Sequence, residues 1–271
     1  MKILFLGTAA AEGYPGSFCT CSRCERARRL GGPNLRYRSS ILVDGRLLVD
    51  LPPDLYAASL RCGARLAEVR CVLITHTHPD HFYPEELRLR AEPFSHGPPR
   101  PLILAGSEAA ARKAEERLAG RGDVEYLVLR PGVEEEICGY RVLPIPAVHN
   151  TPGEEPLNYL IEAGGRALLY ALDTGPYTEE QFSLLRGRRA TLVVADATMG
   201  LRGPGSYRYH MCVEEVAALR ERLLEEGVAG PETRFVLTHF SHNSSPPHVE
   251  LVEALRGSGL TAAHDCMEVE A

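Results

Sequence analysis

Short apolar runs that end at glycine, proline or charged residues recur along the chain, and this pattern predicts buried β-strands. The first run ends at Gly7. Two later runs flank the dipeptide Asp44-Gly45, which predicts a hairpin with a tight turn. We predict strands at 2–6, 41–44, 47–50, 72–75, 101–105, 124–129, 140–145, 158–163, 166–172, 191–195 and 234–238.

Three segments between or after these strands are predicted to be helices from their composition and apolar spacing. They span 107–119, 212–226 and 246–256, and the last has Pro246-Pro247 in its first turn. The alternation of strands and helices predicts an α/β fold. Because the chain shows no repeat, low-complexity tract or linker, we predict one domain over 1–271.

Composition narrows the classes of protein to consider. Hydrophobic residues make up 44% and charged residues 24%, which is typical of a soluble globular protein. The net charge of −6 argues against a broad nucleic-acid-binding face, which needs clustered Lys and Arg. No apolar stretch approaches the ~18 residues of a membrane span, and the N-terminal run lacks a cleavage site. We therefore expect a cytoplasmic protein with no membrane contact, and a homodimer is the default assembly.

The segment 76–81 reads His-Thr-His-Pro-Asp-His and directly follows a predicted core strand. Residues two apart in an extended chain point to the same side, so His76 and His78 can converge on one ion. The proline disfavours helix here, and Asp80 is predicted to N-cap the helical pattern that follows, which brings His81 to the same rim. Three imidazoles and a carboxylate exceed the three protein ligands that a single catalytic zinc ion takes, so the segment predicts a pair of ions rather than a chance polar loop.

This segment resembles the H-x-H-x-D-H signature of the metallo-β-lactamase superfamily, whose fold is a four-layer αββα sandwich. The superfamily's remaining ligands follow later strands, where this chain has His149, Asp173 and His239. If each were considered without the others, it would be interpreted as an ordinary histidine at the edge of a sheet or an ordinary aspartate in a turn. The resemblance implies that one divalent ion is held by His76, His78, His149 and Asp173. It implies that a second is held by Asp80, His81, His239 and the shared Asp173. Either Mn²⁺ or Zn²⁺ suits such ligands.

A second motif, Cys19-Thr20-Cys21-Ser22-Arg23-Cys24, follows the segment 7–15 near the N-terminus. Together they are similar to the start of the PhnP-like cyclic phosphodiesterase family, the accessory proteins of carbon–phosphorus lyase in phosphonate breakdown. The resemblance implies a structural Zn²⁺ in a loop at about 12–37, held by Cys19, Cys21, Cys24 and His242. Three thiolates and an imidazole form a closed tetrahedral zinc set, although a redox or merely buried thiol cluster is the alternative.

The other five cysteines lie in or beside apolar runs and are predicted to fill the core as thiols: Cys62, Cys71, Cys138, Cys212 and Cys266. The segment 263–269 is similar to the phosphodiesterase family's ending, with His264 and Cys266 where the family more often has Tyr and Gly. His210 lies where the phosphodiesterases carry a catalytic histidine close to the leaving group. Without the resemblance, it would be an ordinary residue before a helix.

The resemblance implies a metal-dependent hydrolase that acts on a small phosphodiester, with cyclic ribose phosphates among the candidates. Hydroxide would be generated from water by the two ions. Asp80 would orient the hydroxide or accept its proton, and His210 would protonate or stabilise the departing oxygen. Substrate specificity is expected to lie in the loops at 12–37, 92–99, 150–157 and 200–210.

Three alternatives remain open at this stage. One is another hydrolase of the same fold, either a tRNA 3′-processing nuclease or an ester or amide hydrolase. A tRNA nuclease is expected to add a Gly/Pro-rich arm and a basic surface, and neither is evident. The second is a non-enzymatic accessory protein of cofactor biosynthesis, similar to the pyrroloquinoline quinone synthesis protein B family. That family shares the cysteine loop but typically lacks an intact H-x-H-x-D-H. The third is a redox thiol protein.

Overall fold

The computed structural model describes residues 1–96, 101–119 and 121–271. Its strands are β1 (Lys2–Gly7), β2 (Ser40–Val43), β3 (Leu47–Val49), β4 (Cys71–Leu73), β5 (Leu102–Gly106), β6 (Val124–Val128), β7 (Glu135–Ile137), β8 (Tyr140–Pro146), β9 (Leu157–Ala163), β10 (Arg166–Ala171), β11 (Leu192–Asp196), β12 (Arg234–Thr238), β13 (Leu260–Ala262) and β14 (Glu268–Glu270). The α-helices are α1 (Ser22–Leu30), α2 (Leu55–Cys62), α3 (Glu108–Arg117), α4 (Glu179–Leu185), α5 (Val213–Glu225) and α6 (His248–Ala254). Short 3₁₀ helices span Gly32–Asn34, Leu66–Glu68 and Pro84–Arg90.

The strands form two mixed sheets of seven strands each. The first has the order β14-β1-β2-β3-β4-β5-β6, and β3 to β6 run parallel. The second has the order β13-β12-β11-β10-β9-β8-β7, and β10 to β13 run parallel. Nearly continuous apolar sequences in the central strands agree with burial of both faces of each sheet.

Apolar side chains divide into three layers of core. The middle layer joins the two sheets, with Phe5 and Ile41 from the first packed in one cluster with Leu168 from the second. The outer layer of the first sheet is covered by α2 and α3, and that of the second by α4, α5 and α6. The arrangement is the αββα sandwich that the family resemblance implied, and that expectation is confirmed.

The direction of the strands brings several functional segments to one edge of the sandwich. Parallel strands have their carboxyl ends at the same edge, and ligands bind there in open α/β sheets. The predicted ligand segments follow the carboxyl ends of β4, β8, β10 and β12. Fold and site are therefore linked by strand direction.

Most predicted elements are present with ends displaced by a few residues, and the Asp44-Gly45 turn has positive φ at both residues (49° and 70°), as a type I′ turn requires. The sequence did not reveal β7, β13 and β14. Each has three residues, and unlike the equally short β3 and β4, none of them is an unbroken apolar run. It also missed α1, α2 and α4. Of the α1 residues, only Cys24 and Ala27 are buried, so no apolar stripe marks that helix.

The predicted N-cap role of Asp80 is wrong. The next helical segment is the 3₁₀ helix Pro84–Arg90, and it begins after Tyr83. A helix capped by Asp80 would need its first hydrogen bond from the N–H of residue 84, and proline has none. The Asp80 carboxylate instead faces the ring of His81, with Oδ2 3.1 Å from Nε2.

The cysteine predictions are partly wrong. Cys62 and Cys266 form a disulfide, with Cα atoms 4.9 Å apart. The bond joins α2 to the segment before β14, and both lie beside β1, where Cys266 donates its backbone N–H to the carbonyl of Phe5. Because the two cysteines are 204 residues apart, the sequence gives no sign of this proximity. Cys71 and Cys212 are buried as predicted, whereas Cys138 is exposed.

Within the described residues, no helix combines the length and the apolar character needed to cross a membrane. Part of one predicted specificity loop, 97–99, lies outside the described residues.

Reduction of the Cys62–Cys266 bond is expected to lower the free energy of unfolding by about 2–4 kcal/mol, because the unfolded chain loses a long covalent loop. Urea unfolding with and without reductant measures the difference. The Cys62→Ser variant cannot form this disulfide, so the same reductant should change its free energy of unfolding only through effects on its other cysteines. If thiol titration of the unfolded, unreduced protein finds all eight thiols free, the disulfide is disproved.

Candidate metal centre

Four side chains point their ligand atoms at one small space at the edge of the sheets, and they are the four that the family resemblance implied: His76, His78, His149 and Asp173. Nε2 of His76 lies 2.9 Å from Nδ1 of His78 and 3.3 Å from Oδ2 of Asp173. Nε2 of His149 lies 3.4 Å from the same Nδ1 of His78. The loop after β4 supplies two of the four residues, and the loops after β8 and β10 supply the others.

A second group adjoins the first and consists of Asp80, His81, Asp173 and His239. Nε2 of His81 lies 3.1 Å from Oδ2 of Asp80 and 3.0 Å from Oδ2 of Asp173. Nε2 of His239 lies 2.9 Å from Oδ1 of Asp173. The carboxylate of Asp173 is therefore shared, and its two oxygens face histidines of both groups.

The spacing of these donor atoms fits divalent ions. In a tetrahedral site with bonds of about 2.0–2.1 Å, neighbouring donors lie about 3.3 Å apart. The Nε2 atoms of His81 and His239 and the Oδ1 atom of Asp173 are buried and have no hydrogen-bond partner. Buried polar atoms without a partner are rare in proteins, so these atoms are arranged for a ligand other than each other. The residues present fit a pair of divalent ions.

Further side chains fix the orientation of two of the imidazoles. His81 donates from Nδ1 to Oδ2 of Asp50 at 2.7 Å, which leaves Nε2 directed at the centre. Nδ1 of His239 lies 2.7 Å from Oγ1 of Thr198. Because that hydroxyl donates to Oδ1 of Asp196 at 2.7 Å, it accepts from the His239 ring. Such partners hold a ligating histidine in the required tautomer and orientation.

Sequence reasoning assigned no role to Asp50, Asp196 or Thr198. A signal was available for the two aspartates, because Asp50 follows β3 and Asp196 ends β11 at the same edge as the ligands. Both carboxylates are fully buried. An aspartate at the carboxyl end of an apolar strand thus predicts a residue that supports the site, once the neighbouring strands are known to carry ligands.

Burial and charge set the protonation of the centre. Burial lowers the pKa of His76 well below its usual value, so the imidazole is neutral, as ligation requires. Burial alone would lower the pKa of His81 as well, but Asp173, Asp80 and Asp50 outweigh it and raise that pKa well above the usual value. The pKa of Asp173 is held well below its ordinary range by His239 and His81, against the opposing effect of burial. This concentration of carboxylates favours bound cations.

Three of the site's aspartates and histidines have left-handed backbone conformations. Asp50, Asp173 and His239 have φ values of 65°, 46° and 63°. Non-glycine residues adopt this region at a cost of about 1–3 kcal/mol and cluster at functional sites. Asp50 and His239 directly follow a strand, and one residue separates Asp173 from the end of β10. In each case the turn directs the side chain at the centre.

His210 lies beside the two ligand groups, as the family resemblance implied. Its Nδ1 donates to Oδ2 of Asp196 at 2.7 Å, and its ring centroid lies 5.0 Å from that of His149. Burial would lower the pKa of His210, but Asp196 outweighs this effect and raises it to about 9. The Asp196 carboxylate thus favours the protonated form of this ring. Asp80 is ionised, because His81 outweighs burial and holds the pKa of this carboxyl well below its usual range.

The predicted cysteine cluster is also assembled. The sulfurs of Cys19 and Cys21 lie 3.9 and 3.8 Å from Nδ1 of His242, and Cys24 completes the group. In a tetrahedral zinc site, neighbouring S and N donors are about 3.5 Å apart, so the spacing fits Zn²⁺. A hydrogen bond from the Cys24 backbone lowers the pKa of Cys21 to about 6, whereas burial raises the pKa of Cys24 to about 12.

The segment 239–245 connects the cysteine cluster with the metal centre. His239 belongs to the centre and His242 to the cluster, three residues further on. Between them, Ser241 donates its hydroxyl to Oε1 of Glu12 at 2.5 Å. Arg23 in α1 donates to the carbonyl of His242 at 3.2 Å. The cluster is thus placed to hold the segment that carries His239.

Comparison with known proteins agrees with this geometry. The model of the family described as the β-lactamase superfamily domain matches residues 45–240, well over half of the chain. No curated protein matches the chain by sequence.

Several solved structures share the fold along the whole chain. A structure described as a new diphosphatase from the PhnP family is 24% identical, with a TM-score of 0.74 over 100% of this chain and 97% of that one. Zn²⁺-bound PqqB from Methylobacterium extorquens is 20% identical, with a TM-score of 0.73 over 100% of both chains. The short form of human tRNase Z is 18% identical, with a TM-score of 0.66 over 100% of this chain and 99% of that one.

These likenesses support the fold rather than a substrate. Together with the family match and the paired ligand groups, they identify the chain as a member of the β-lactamase superfamily domain family with the metallo-β-lactamase fold, the dinuclear metal-binding fold of metal-dependent hydrolases.

Proposed function

We propose that the protein is a metal-dependent phosphodiesterase that hydrolyses a small phosphodiester, with cyclic ribose phosphates as the first candidates. The observation that carries the proposal is the position of His210, which is held by Asp196 beside a ligand set that shares Asp173. This arrangement offers cation sites for a phosphoryl group and a proton donor for its leaving oxygen. The similarity to a diphosphatase of the PhnP family supports a reaction at phosphorus.

The first ligand group would hold one Mn²⁺ or Zn²⁺ ion, and the second group would hold another. When bound, a pair of such ions lowers the pKa of water and neutralises negative charge on a phosphoryl oxygen. Asp173 would contribute to both sites, because its carboxylate lies beside His76 of the first group and beside His81 and His239 of the second. Asp50 and Thr198 keep the Nε2 atoms of His81 and His239 directed at the centre.

Two residues are proposed to handle protons. Ionised Asp80 accepts a hydrogen bond or a proton from the attacking water. His210 uses Nδ1 for Asp196, so Nε2 is the ring nitrogen left to protonate the departing oxygen. A buried carboxylate behind an imidazole fixes the tautomer and stabilises the cationic ring, which suits a general acid.

The cysteine cluster is proposed to bind a structural Zn²⁺ through Cys19, Cys21, Cys24 and His242. All four positions are filled by protein donors, so no position is open for a substrate. A bound ion would hold the loop before α1 against the segment 239–245. The expected homodimer and cytoplasmic location stay predictions, as does the single domain.

The protein loaded with Mn²⁺ or Zn²⁺ is expected to hydrolyse bis(p-nitrophenyl) phosphate and a ribose cyclic phosphate. Asp173→Asn should bind fewer than two ions at the centre and lower kcat/KM by roughly 10²-fold or more, because the shared negative charge is lost. Metal content by plasma mass spectrometry and steady-state kinetics measure both effects.

Asp44→Asn is a matched control for that variant, because Asp44 also has positive φ, at 49°, but is exposed and remote from the ligands. It should retain metal and activity. Absence of turnover with every linear and cyclic phosphodiester would favour the non-enzymatic accessory protein. Faster turnover of carboxylic ester or amide substrates than of any phosphodiester would favour the other hydrolase class.

His210→Gln is expected to slow hydrolysis most for diesters with poor leaving groups. An alkoxide must be protonated as it departs, whereas p-nitrophenolate is stable without a proton. We expect a loss of about 10²–10⁴-fold in kcat for an alkyl or ribose diester, and a much smaller loss for bis(p-nitrophenyl) phosphate. Equal losses for both classes would assign His210 to metal or substrate binding instead.

Cys21→Ser is expected to remove one equivalent of zinc and to leave the ions of the main centre in place. A loss of about 2 kcal/mol lowers the Tm of a chain of this size by roughly 4–8 °C. Differential scanning calorimetry and metal analysis test this expectation. Cys138→Ser replaces another exposed thiol and should change neither quantity. A Cys21→Ser protein with unchanged Tm and zinc content would rule out the structural zinc.

A further inference from the structure

The segment between β11 and α5 forms a loop whose base is closed and whose outer part is exposed. The backbone N–H of Met199 donates to the carbonyl of Met211 at 3.0 Å, which joins the two ends. Arg202 donates to the carbonyl of Asn243 at 3.0 Å. Residues 201–208 are all exposed. Compact loops with joined ends are frequently functional.

The loop is also held close to the metal centre. Gly175 lies two residues after the shared aspartate, and a Cβ added there would stand 2.0 Å from the carbonyl oxygen of Arg208. The close approach is possible only because residue 175 is glycine. The loop is therefore fixed beside the centre by contacts at its base and near its end.

Three rings in this region are nearly parallel and lead from the centre to the surface. The rings of His239 and His210 have centroids 5.6 Å apart and planes 18° apart. The rings of His210 and Tyr207 have centroids 5.6 Å apart and planes 15° apart. His239 is buried, whereas Tyr207 is 47% exposed. The outermost ring thus combines contact with the proposed proton donor and access to solvent.

A second tyrosine and an arginine lie next to this outermost ring. Tyr209 meets Tyr207 edge-on at 5.8 Å, and the guanidinium of Arg208 lies 5.3 Å from the Tyr209 ring centroid. Arg208 forms no ion pair with any residue that the structure describes, although many other arginines of this acidic chain pair with carboxylates. The loop therefore presents an aromatic surface beside an uncompensated positive charge.

This combination suits one class of ligand. Nucleobases stack on exposed aromatic side chains irrespective of sequence, since every base has a π-face. A guanidinium attracts the phosphate that accompanies the base. A core role does not account for Tyr207, because its ring is half exposed at the mouth of the site.

We propose that Tyr207, with Tyr209 at its edge, binds the base of a nucleoside phosphodiester, so that the substrate class is nucleotide rather than a base-free sugar phosphate. The inference rests on the proposed phosphodiesterase function. It places the nucleoside on the same side of the centre as His210. Water adds to phosphorus, the bond to the ribose oxygen breaks, and the proton from His210 goes to that oxygen, which leaves a phosphomonoester and a free hydroxyl.

The test compares adenosine 2′,3′-cyclic phosphate with methyl riboside 2′,3′-cyclic phosphate, which has no base. The protein is expected to prefer the adenosine substrate by about 10-fold or more in kcat/KM. Tyr207→Leu should abolish most of that preference, and Tyr207→Phe, which keeps the ring, should restore it. Tyr56→Leu is the matched control, because Tyr56 is 63% exposed on α2, which covers the first sheet, whereas the Tyr207 loop joins β11 to α5 on the second. This variant should keep the preference.

Calorimetric binding of adenosine 3′-phosphate provides a readout that does not depend on turnover. Affinity should fall about 10-fold or more in Tyr207→Leu and should stay unchanged in Tyr56→Leu. If no phosphodiester is hydrolysed but this Tyr207-dependent binding persists, the proposed function fails and the base site stands. Two results would contradict the base site but not the phosphodiesterase function. Either the protein hydrolyses both cyclic phosphates equally well, or Tyr207→Leu slows the hydrolysis of both to the same extent.

Discussion

Burying a carboxylate is unfavourable unless cations or hydrogen-bond donors surround it, and Asp173 is buried at the point where the two ligand groups meet. Nε2 of His76 from the first group and Nε2 of His81 from the second lie 3.3 and 3.0 Å from its Oδ2 atom, and Nε2 of His239 from the second group lies 2.9 Å from Oδ1. This geometry is what two divalent ions require, because a shared carboxylate then neutralises part of the charge of each. The left-handed turn at Asp173, after the end of the parallel strand β10, directs that carboxylate at the centre.

The sandwich supports the centre through the ends of its strands. Each sheet also contributes a buried carboxylate that belongs to neither of the two ligand groups and that orients an imidazole ring. Asp50 after β3 holds His81, and Asp196 at the end of β11 holds His210 and, through Thr198, His239. Rigid strands therefore determine ring orientation, and the loops that follow them determine which chemistry the rings perform.

The cysteine cluster, the disulfide and the loop at 200–210 have separate positions around this centre. The cluster lies next to the segment that carries His239, and the disulfide ties the C-terminal segment to α2 beside β1. The loop with Tyr207 forms the outer surface next to His210. The roles proposed for these parts, in stability, ligand placement and substrate recognition, thus belong to different segments of the chain, which allows variants of each segment to be interpreted separately.

The sequence by itself determined the α/β class and most strands, and it placed His76, Asp173 and His239 at or just after the ends of apolar runs. The membership of the two ligand groups came from the family resemblance, and it stays a prediction although the structure brings all seven side chains together. The sequence could not determine which buried carboxylate outside the ligand groups orients which imidazole ring, because Asp50 and His81 meet only when β3 and β4 pair. It wrongly made Cys62 and Cys266 separate thiols for the same reason. Contacts between distant segments depend on strand order and on how the two sheets pack, and local patterns of hydrophobic and polar residues carry little of that information. Tertiary structure alone brought the rings of Tyr207, His210 and His239 into one stack.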